Sequence, residues 1–146
     1  MTTEEVKALA KKAAVYGVGG WMLENTFFGP HYSAIFGGVA VPLLPVYAAG
    51  GLAVGAAAPK LKEANVPWWG RALAYAAGLS AIEYAGCRID RDFLGDCAWD
   101  YAENRCLEPA RGCVDMKHAL AWGALGLLVE KLEASAGETR PIHDWK

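Results

Sequence analysis

Three carboxylates stand in apolar surroundings: Glu24 in GWMLEN, Glu83 in SAIEYAG and Asp100 in CAWDYAENRC. A carboxylate kept from water can bind a cation, exchange a proton or accept bonds from a polar headgroup. Inside a bilayer a charge costs at least about 2.5–3.5 kcal/mol, which makes such a residue a functional-site candidate. Asp100 lies between the amphipathic rings of Trp99 and Tyr101, and His118 follows at the start of an apolar run. Glu24, Glu83, Asp100, Tyr101 and His118 therefore form the candidate polar site. A purely structural reading competes with it: Trp99 and Tyr101 pack on helix ends, and Asp100 accepts bonds from backbone amides or from Arg88, Arg91, Arg105 or Arg111. On that reading Glu24 and Glu83 are solvated at an interface or paired with Arg71 or Arg88.

Cys87, Cys97, Cys106 and Cys113 all fall in or beside one connection, with gaps of nine, eight and six residues. These gaps lack the tight C-x-x-C spacing of a zinc or cluster site, and His118 is the only nearby imidazole, so no metal is expected. Disulfides are expected instead; four cysteines allow three pairings, and spacing does not choose among them.

Several chemistries are excluded. The Gly-rich runs GVGG and AAGGL lack the lysine of a phosphate-binding loop, so no nucleotide cofactor is expected. Ser33, Ser80 and Ser135 have no neighbouring histidine and no G-x-S-x-G setting, which argues against a hydrolase. A net charge of −2 without a basic patch excludes nucleic acid. An enzyme acting on lipid headgroups, with Asp100 as base and His118 as acid, lacks any sequence feature that positions the pair.

The elements that must hold these residues read as helices. The chain is 54% hydrophobic with 17 glycines, leaning toward close-packed membrane helices, although 21% charged residues is near a soluble average. Residues 39–58, VAVPLLPVYAAGGLAVGAAA, carry no charge, and as a helix their length, about 30 Å, equals a bilayer's hydrocarbon thickness. Pro42 and Pro45 belong at or near its first turn. Three further segments have short apolar cores: 13–28 carrying Glu24, 67–87 carrying Arg71 and Glu83, and 116–132 carrying Lys117, His118, Glu130 and Lys131. Each needs snorkelling flanks or neighbouring helices for shelter.

The expected architecture is a single all-α domain, an integral membrane bundle of about four transmembrane helices. Its helices lie at about 6–28, 39–58, 67–87 and 116–132, with a cysteine-containing extracytoplasmic loop at 88–115 and a polar tail at 134–146. Lys7, Lys11 and Lys12 precede the first helix, Lys60, Lys62 and Arg71 flank the second connection, and Lys131, Arg140 and Lys146 follow the last helix. This bias places both termini in the cytoplasm of a multi-pass inner-membrane protein. The first apolar run has no small-residue cleavage site after it and is read as a retained helix. A soluble helical bundle is the alternative, with Glu24 and Glu83 as surface charges.

GVAVPLLPVYAAGGL, IEYAG, WDYAENRC and RGCVDMKHALAWGALGLL together resemble the CmpB-like family, small bacterial membrane proteins named as type IV ABC-transporter permeases. The family's Pro-x-x-Pro-hydrophobic-Tyr helix entry falls on Pro42, Pro45 and Tyr47, and its Glu-Tyr pair on Glu83 and Tyr84. Its Trp-Asp-Tyr triplet falls on Trp99, Asp100 and Tyr101, and its later glycine and Trp-Gly on Gly112, Trp122 and Gly123. The resemblance covers roughly residues 15 to 130. This chain departs from the pattern with Leu44 in place of a common cysteine, with extra cysteines and without an Asn-Arg-Gly run before the second helix. The resemblance implies a polytopic transport or membrane-binding subunit without its own nucleotide site, in contact with lipids and with other membrane subunits or its own copies. A structural accessory subunit is the second reading, with Gly17, Gly20, Gly123 and Gly126 giving close helix contact.

Overall fold

The computed structural model describes residues 2–27, 43–95, 97, 99, 101 and 112–137. Four helices follow one another: α1 (Thr3–Phe27), α2 (Leu43–Glu63), α3 (Trp68–Leu94) and α4 (Met116–Gly137), with no strand among the described residues. The all-α expectation holds. No helix among the described residues is long and apolar enough to cross a membrane. The expected span at 39–58 is only partly visible in this respect, because 39–42, including Pro42, lie outside the described residues.

Local sequence sets the helix ends. Thr2 and Glu5 form a reciprocal cap: the Thr2 N–H donates to Glu5 Oε2 at 2.6 Å, and the Glu5 N–H donates to Thr2 Oγ1 at 3.3 Å. Pro45 sits in the first turn of α2, where its missing N–H costs no helical bond. The helix also runs past Pro59 to Glu63, beyond the expected end at 58. Asn65, in left-handed conformation at φ 55°, ends it: Asn65 N–H bonds Lys62 O at 2.9 Å and Val66 N–H bonds Leu61 O at 3.0 Å. Helix α3 continues two turns beyond the expected end at Cys87 and stops at Gly95, with φ 81°. Asp115 caps α4, its Oδ1 accepting the His118 N–H at 2.9 Å.

Successive helices run antiparallel. α1 packs on α2, α3 on α4, and α2 touches both α3 and α4, whereas no Cα of α1 comes within 8 Å of α3 or α4. The core accordingly has two parts. One gathers Leu43, Val46, Cys87, Cys97, Trp99, Cys113 and Val114 under the residues that join α3 to α4. The other holds Val54, Ala58, Tyr75 and Leu79 toward the opposite end.

The two tight helix pairs use one packing solution. A Cβ on Gly17 would lie 2.9 Å from the Leu44 carbonyl oxygen and 3.5 Å from Ala48 Cβ; one on Gly123 would lie 2.9 Å from the Ala72 oxygen and 3.5 Å from Ala76 Cβ. Three residues later, Gly20 and Gly126 sit against the rings of Tyr47 and Tyr75. Four residues on again, Glu24 accepts the Tyr47 hydroxyl and Glu130 the Tyr75 hydroxyl. The pair α4/α3 therefore repeats α1/α2 in reversed chain order, and the two glutamates end up at opposite ends of the bundle.

Candidate functional site

Glu83 is 2% exposed, yet both its carboxylate oxygens are satisfied. The Tyr101 hydroxyl donates to Oε1 at 2.9 Å and the Trp122 indole N–H to Oε2 at 2.9 Å. The donors come from separate elements, so the carboxylate ties α3 to α4 and to the α3–α4 connection. A buried carboxylate is tolerable only with such donors.

Three features hold Tyr101 in place. Its N–H donates to the Gly112 carbonyl at 2.8 Å, and Gly112 takes the left-handed φ of 82° that glycine adopts without steric cost. Its ring stacks on the His118 imidazole, with centroids 4.2 Å apart and planes 19° apart. Trp99, 3% exposed, donates its indole N–H to the Cys113 carbonyl at 3.0 Å. Burial, followed by the charge of Glu83, pushes the Tyr101 phenol up, so it remains a donor.

His118 is fixed by Asp115, whose Oδ2 lies 2.7 Å from its Nδ1. Asp115 is 1% exposed. Burial acts to raise its pKa, but the backbone and side-chain bonds from His118, its charge and the Lys117 N–H outweigh this and hold the carboxyl below the ordinary range.

These residues enclose a chamber of about 150 Å³, lined among others by Glu24, Tyr47, Glu83, Trp99, Tyr101, His118 and Trp122. Glu24 reaches it from α1, where it accepts the Tyr47 hydroxyl, and the Tyr47 and Trp122 rings meet at 5.3 Å. Of the expected polar site, Glu24, Glu83, Tyr101 and His118 thus share one cavity, while Asp100 lies outside the described residues. The alternative pairing of Glu24 or Glu83 with Arg71 or Arg88 is not what the chain adopts. Arg71 binds Glu130 at 2.9 Å and Arg88 faces Asp92 at 3.4 Å.

Beside the chamber, an apolar groove of about 520 Å³ opens between α1 and α4. Leu23, Val46, Tyr47, Trp122 and Leu125 line both spaces, so groove and chamber share a wall. At its far end Lys12 and Tyr16 of α1 meet Glu133 of α4, with Lys12 Nζ 2.6 Å from Oε2.

Of the cysteines, Cys87 and Cys113 form a disulfide with Cα atoms 5.6 Å apart. Buried Cys97 places its sulfur within 4.8 Å of both, and Cys106 lies outside the described residues. Three converging sulfurs are also a soft-metal donor set, but the disulfide occupies two of them. The disulfide joins Cys87, two turns before the end of α3, to Cys113, just ahead of α4, in the core cluster that contains Trp99 and against which Tyr101 packs.

Sequence reasoning missed Asp115 and the donor roles of Tyr47 and Trp122, which stood as structural motif residues. The signal for Asp115 was there: VDMKH places an N-cap residue three positions before a histidine, at the head of an apolar run.

A family model described as "Putative ABC-transporter type IV" matches residues 13–138. No curated protein and no solved structure matches the chain.

Proposed function

We propose, because this chain belongs to the CmpB-like ABC-transporter type IV family, that it is a membrane-embedded binding or transport subunit whose polar site is the Glu24–Glu83 chamber. The observation that carries this reading is Glu83, buried in the bundle, fully hydrogen-bonded, and facing a cavity that holds a second carboxylate. A carboxylate is costly to bury and serves packing no better than an apolar cluster that replaces it together with its partners, whereas one facing a cavity can meet a ligand.

Membrane embedding draws support from the outer faces of the bundle. Val18, Leu73 and Leu120 lie on the surface away from groove and chamber, with Leu73 60% and Leu120 64% exposed. Hydropathy taken one helix at a time treats Arg71, Glu83 and Glu130 as lone charges. In the bundle Arg71 and Glu130 neutralise each other and Glu83 is hydrogen-bonded, so the assembled helices present less polarity than their sequences. Energy coupling falls to a separate nucleotide-binding subunit.

The accessory-subunit reading is weakened by the glycines, because Gly17, Gly20, Gly123 and Gly126 are used inside the chain against Leu44, Tyr47, Ala72 and Tyr75.

The test is to express the full chain and wash its membranes at alkaline pH. An embedded subunit stays in the pellet, and Glu24→Gln and Glu83→Gln remain folded there while losing ligand binding. Release of the wild-type chain into the wash overturns the membrane assignment.

A further inference from the structure

We infer that the chamber and groove together form one binding site for a single-chain cationic amphiphile: an ammonium head between Glu24 and Glu83, and an alkyl chain along the groove between α1 and α4. This deepens, and rests on, the reading of the Glu24–Glu83 chamber as the binding site.

The chain supplies its own control for the charge argument. Glu24 and Glu130 occupy equivalent places, each four residues after a glycine and each accepting a tyrosine hydroxyl from the neighbouring helix. At Glu130, 6% exposed, the counter-charge is built in: Arg71 Nε lies 2.9 Å from Oε2 and Lys62 Nζ 3.2 Å from Oε1. Glu133 likewise has Lys12 at 2.6 Å. At the other end, no lysine or arginine is among the described residues that line the chamber. Its basic side chain is His118, whose Nδ1 already faces Asp115 Oδ2 at 2.7 Å. Two carboxylates in one small cavity repel each other and are poorly hydrated, and a cation relieves both costs.

The walls indicate what kind of cation. Tyr47, Trp99, Tyr101 and Trp122 surround the carboxylates. Ring faces attract organic ammonium ions, which suits a pair of carboxylates walled by four aromatic side chains. The adjoining groove is apolar, shares five wall residues with the chamber, and at about 520 Å³ is of ligand size. No Cα of α1 lies within 8 Å of α4, so the groove separates the two helices until Lys12 and Tyr16 meet Glu133 at its far end.

The experiment uses the purified full chain in phosphatidylcholine nanodiscs, titrated calorimetrically with octylammonium, octanoate and octanol, with empty discs subtracted. The three probes share one chain and differ only in head charge. Octylammonium is expected to bind about tenfold or more tightly than the other two. Glu24→Gln combined with Glu83→Gln should erase that preference. Equal binding of all three probes, or a preference that survives the double substitution, overturns the inference. Carboxylate-dependent binding of Na⁺ or K⁺ without octylammonium binding would remove the inference and leave the proposed site standing. Absence of any carboxylate-dependent cation binding removes both.

Discussion

The Tyr101 hydroxyl stands 2.9 Å from Glu83 Oε1, so a residue of the α3–α4 connection closes directly onto a buried helix carboxylate. Substitution of Glu83 by alanine strands two buried donors, the Tyr101 hydroxyl and the Trp122 indole, whereas glutamine keeps the shape and an acceptor. Glu83→Ala should therefore destabilise the fold by about 2–4 kcal/mol and Glu83→Gln by less. A double-mutant cycle of Glu83→Gln with Tyr101→Phe, read by chemical unfolding in detergent, should give a coupling of about 1 kcal/mol. Additive single effects would mean that the two residues do not meet.

The Cys87–Cys113 disulfide fixes the frame from which Trp99 and Tyr101 reach the chamber. Peptide mapping without reduction should recover Cys87 joined to Cys113. Cys87→Ser with Cys113→Ser should cost about 2–4 kcal/mol and weaken ligand binding, because the Tyr101 donor is no longer held over Glu83. A Cys97-containing crosslink in the map would refute the pairing.

Much of this was legible before the structure. Pro45 forecast the entry of α2, and Glu24 and Glu83, read from sequence as members of one candidate polar site, line one chamber. What sequence could not supply was partnership. Arg71 and Glu130 are far apart in the chain and read as separate burdens on two marginal helices, yet they pair at 2.9 Å. The extent of α3 beyond Cys87 was hidden for another reason. Residues 88–94 are polar on a short scale and read as loop, whereas the Arg88–Asp92 pair and the left-handed Gly95 carry the helix on to its true end.

Glycine substitutions test the shared packing of the two helix pairs. Gly17→Leu and Gly123→Leu each drive a side chain into a backbone carbonyl of the facing helix, so each should cost about 1–3 kcal/mol or prevent folding. Gly19, by contrast, has nothing within 4 Å of a built Cβ. Gly19→Ala should leave stability unchanged or raise it by about 0.5–1 kcal/mol, through the better helix propensity of alanine. Thermal unfolding of the three variants side by side decides the matter; equal losses at all three positions would contradict the close approach.

Asp115 gives the connection a pH dependence of defined sign. Its folded pKa is lowered, so its contribution is present in full above the unfolded value of about 3.9 and is lost as pH falls through the folded one. Asp115→Asn retains a capping side chain but cannot be ionised, whereas Asp115→Ala also removes the cap and should cost about 0.5–2 kcal/mol at neutral pH. The stability gap between wild type and Asp115→Asn should be constant near neutrality and narrow only below about pH 4. A gap that narrows on the alkaline side instead would show that the aspartate is not the titrating group.

One substitution made at two equivalent positions separates structural charge from functional charge. Glu130→Gln leaves Arg71, whose side chain is 18% exposed, without its anion, and should destabilise the fold by about 1–3 kcal/mol. Glu24→Gln keeps an acceptor for the Tyr47 hydroxyl and removes one of two uncompensated charges facing a single cavity, so without ligand it should be neutral or stabilising. The comparison needs only unfolding curves of the two variants and the wild type under one condition. Opposite signs follow if the charge at Glu24 is kept for a ligand and that at Glu130 for the fold; equal destabilisation would mean that Glu24 is as much a packing residue as its counterpart.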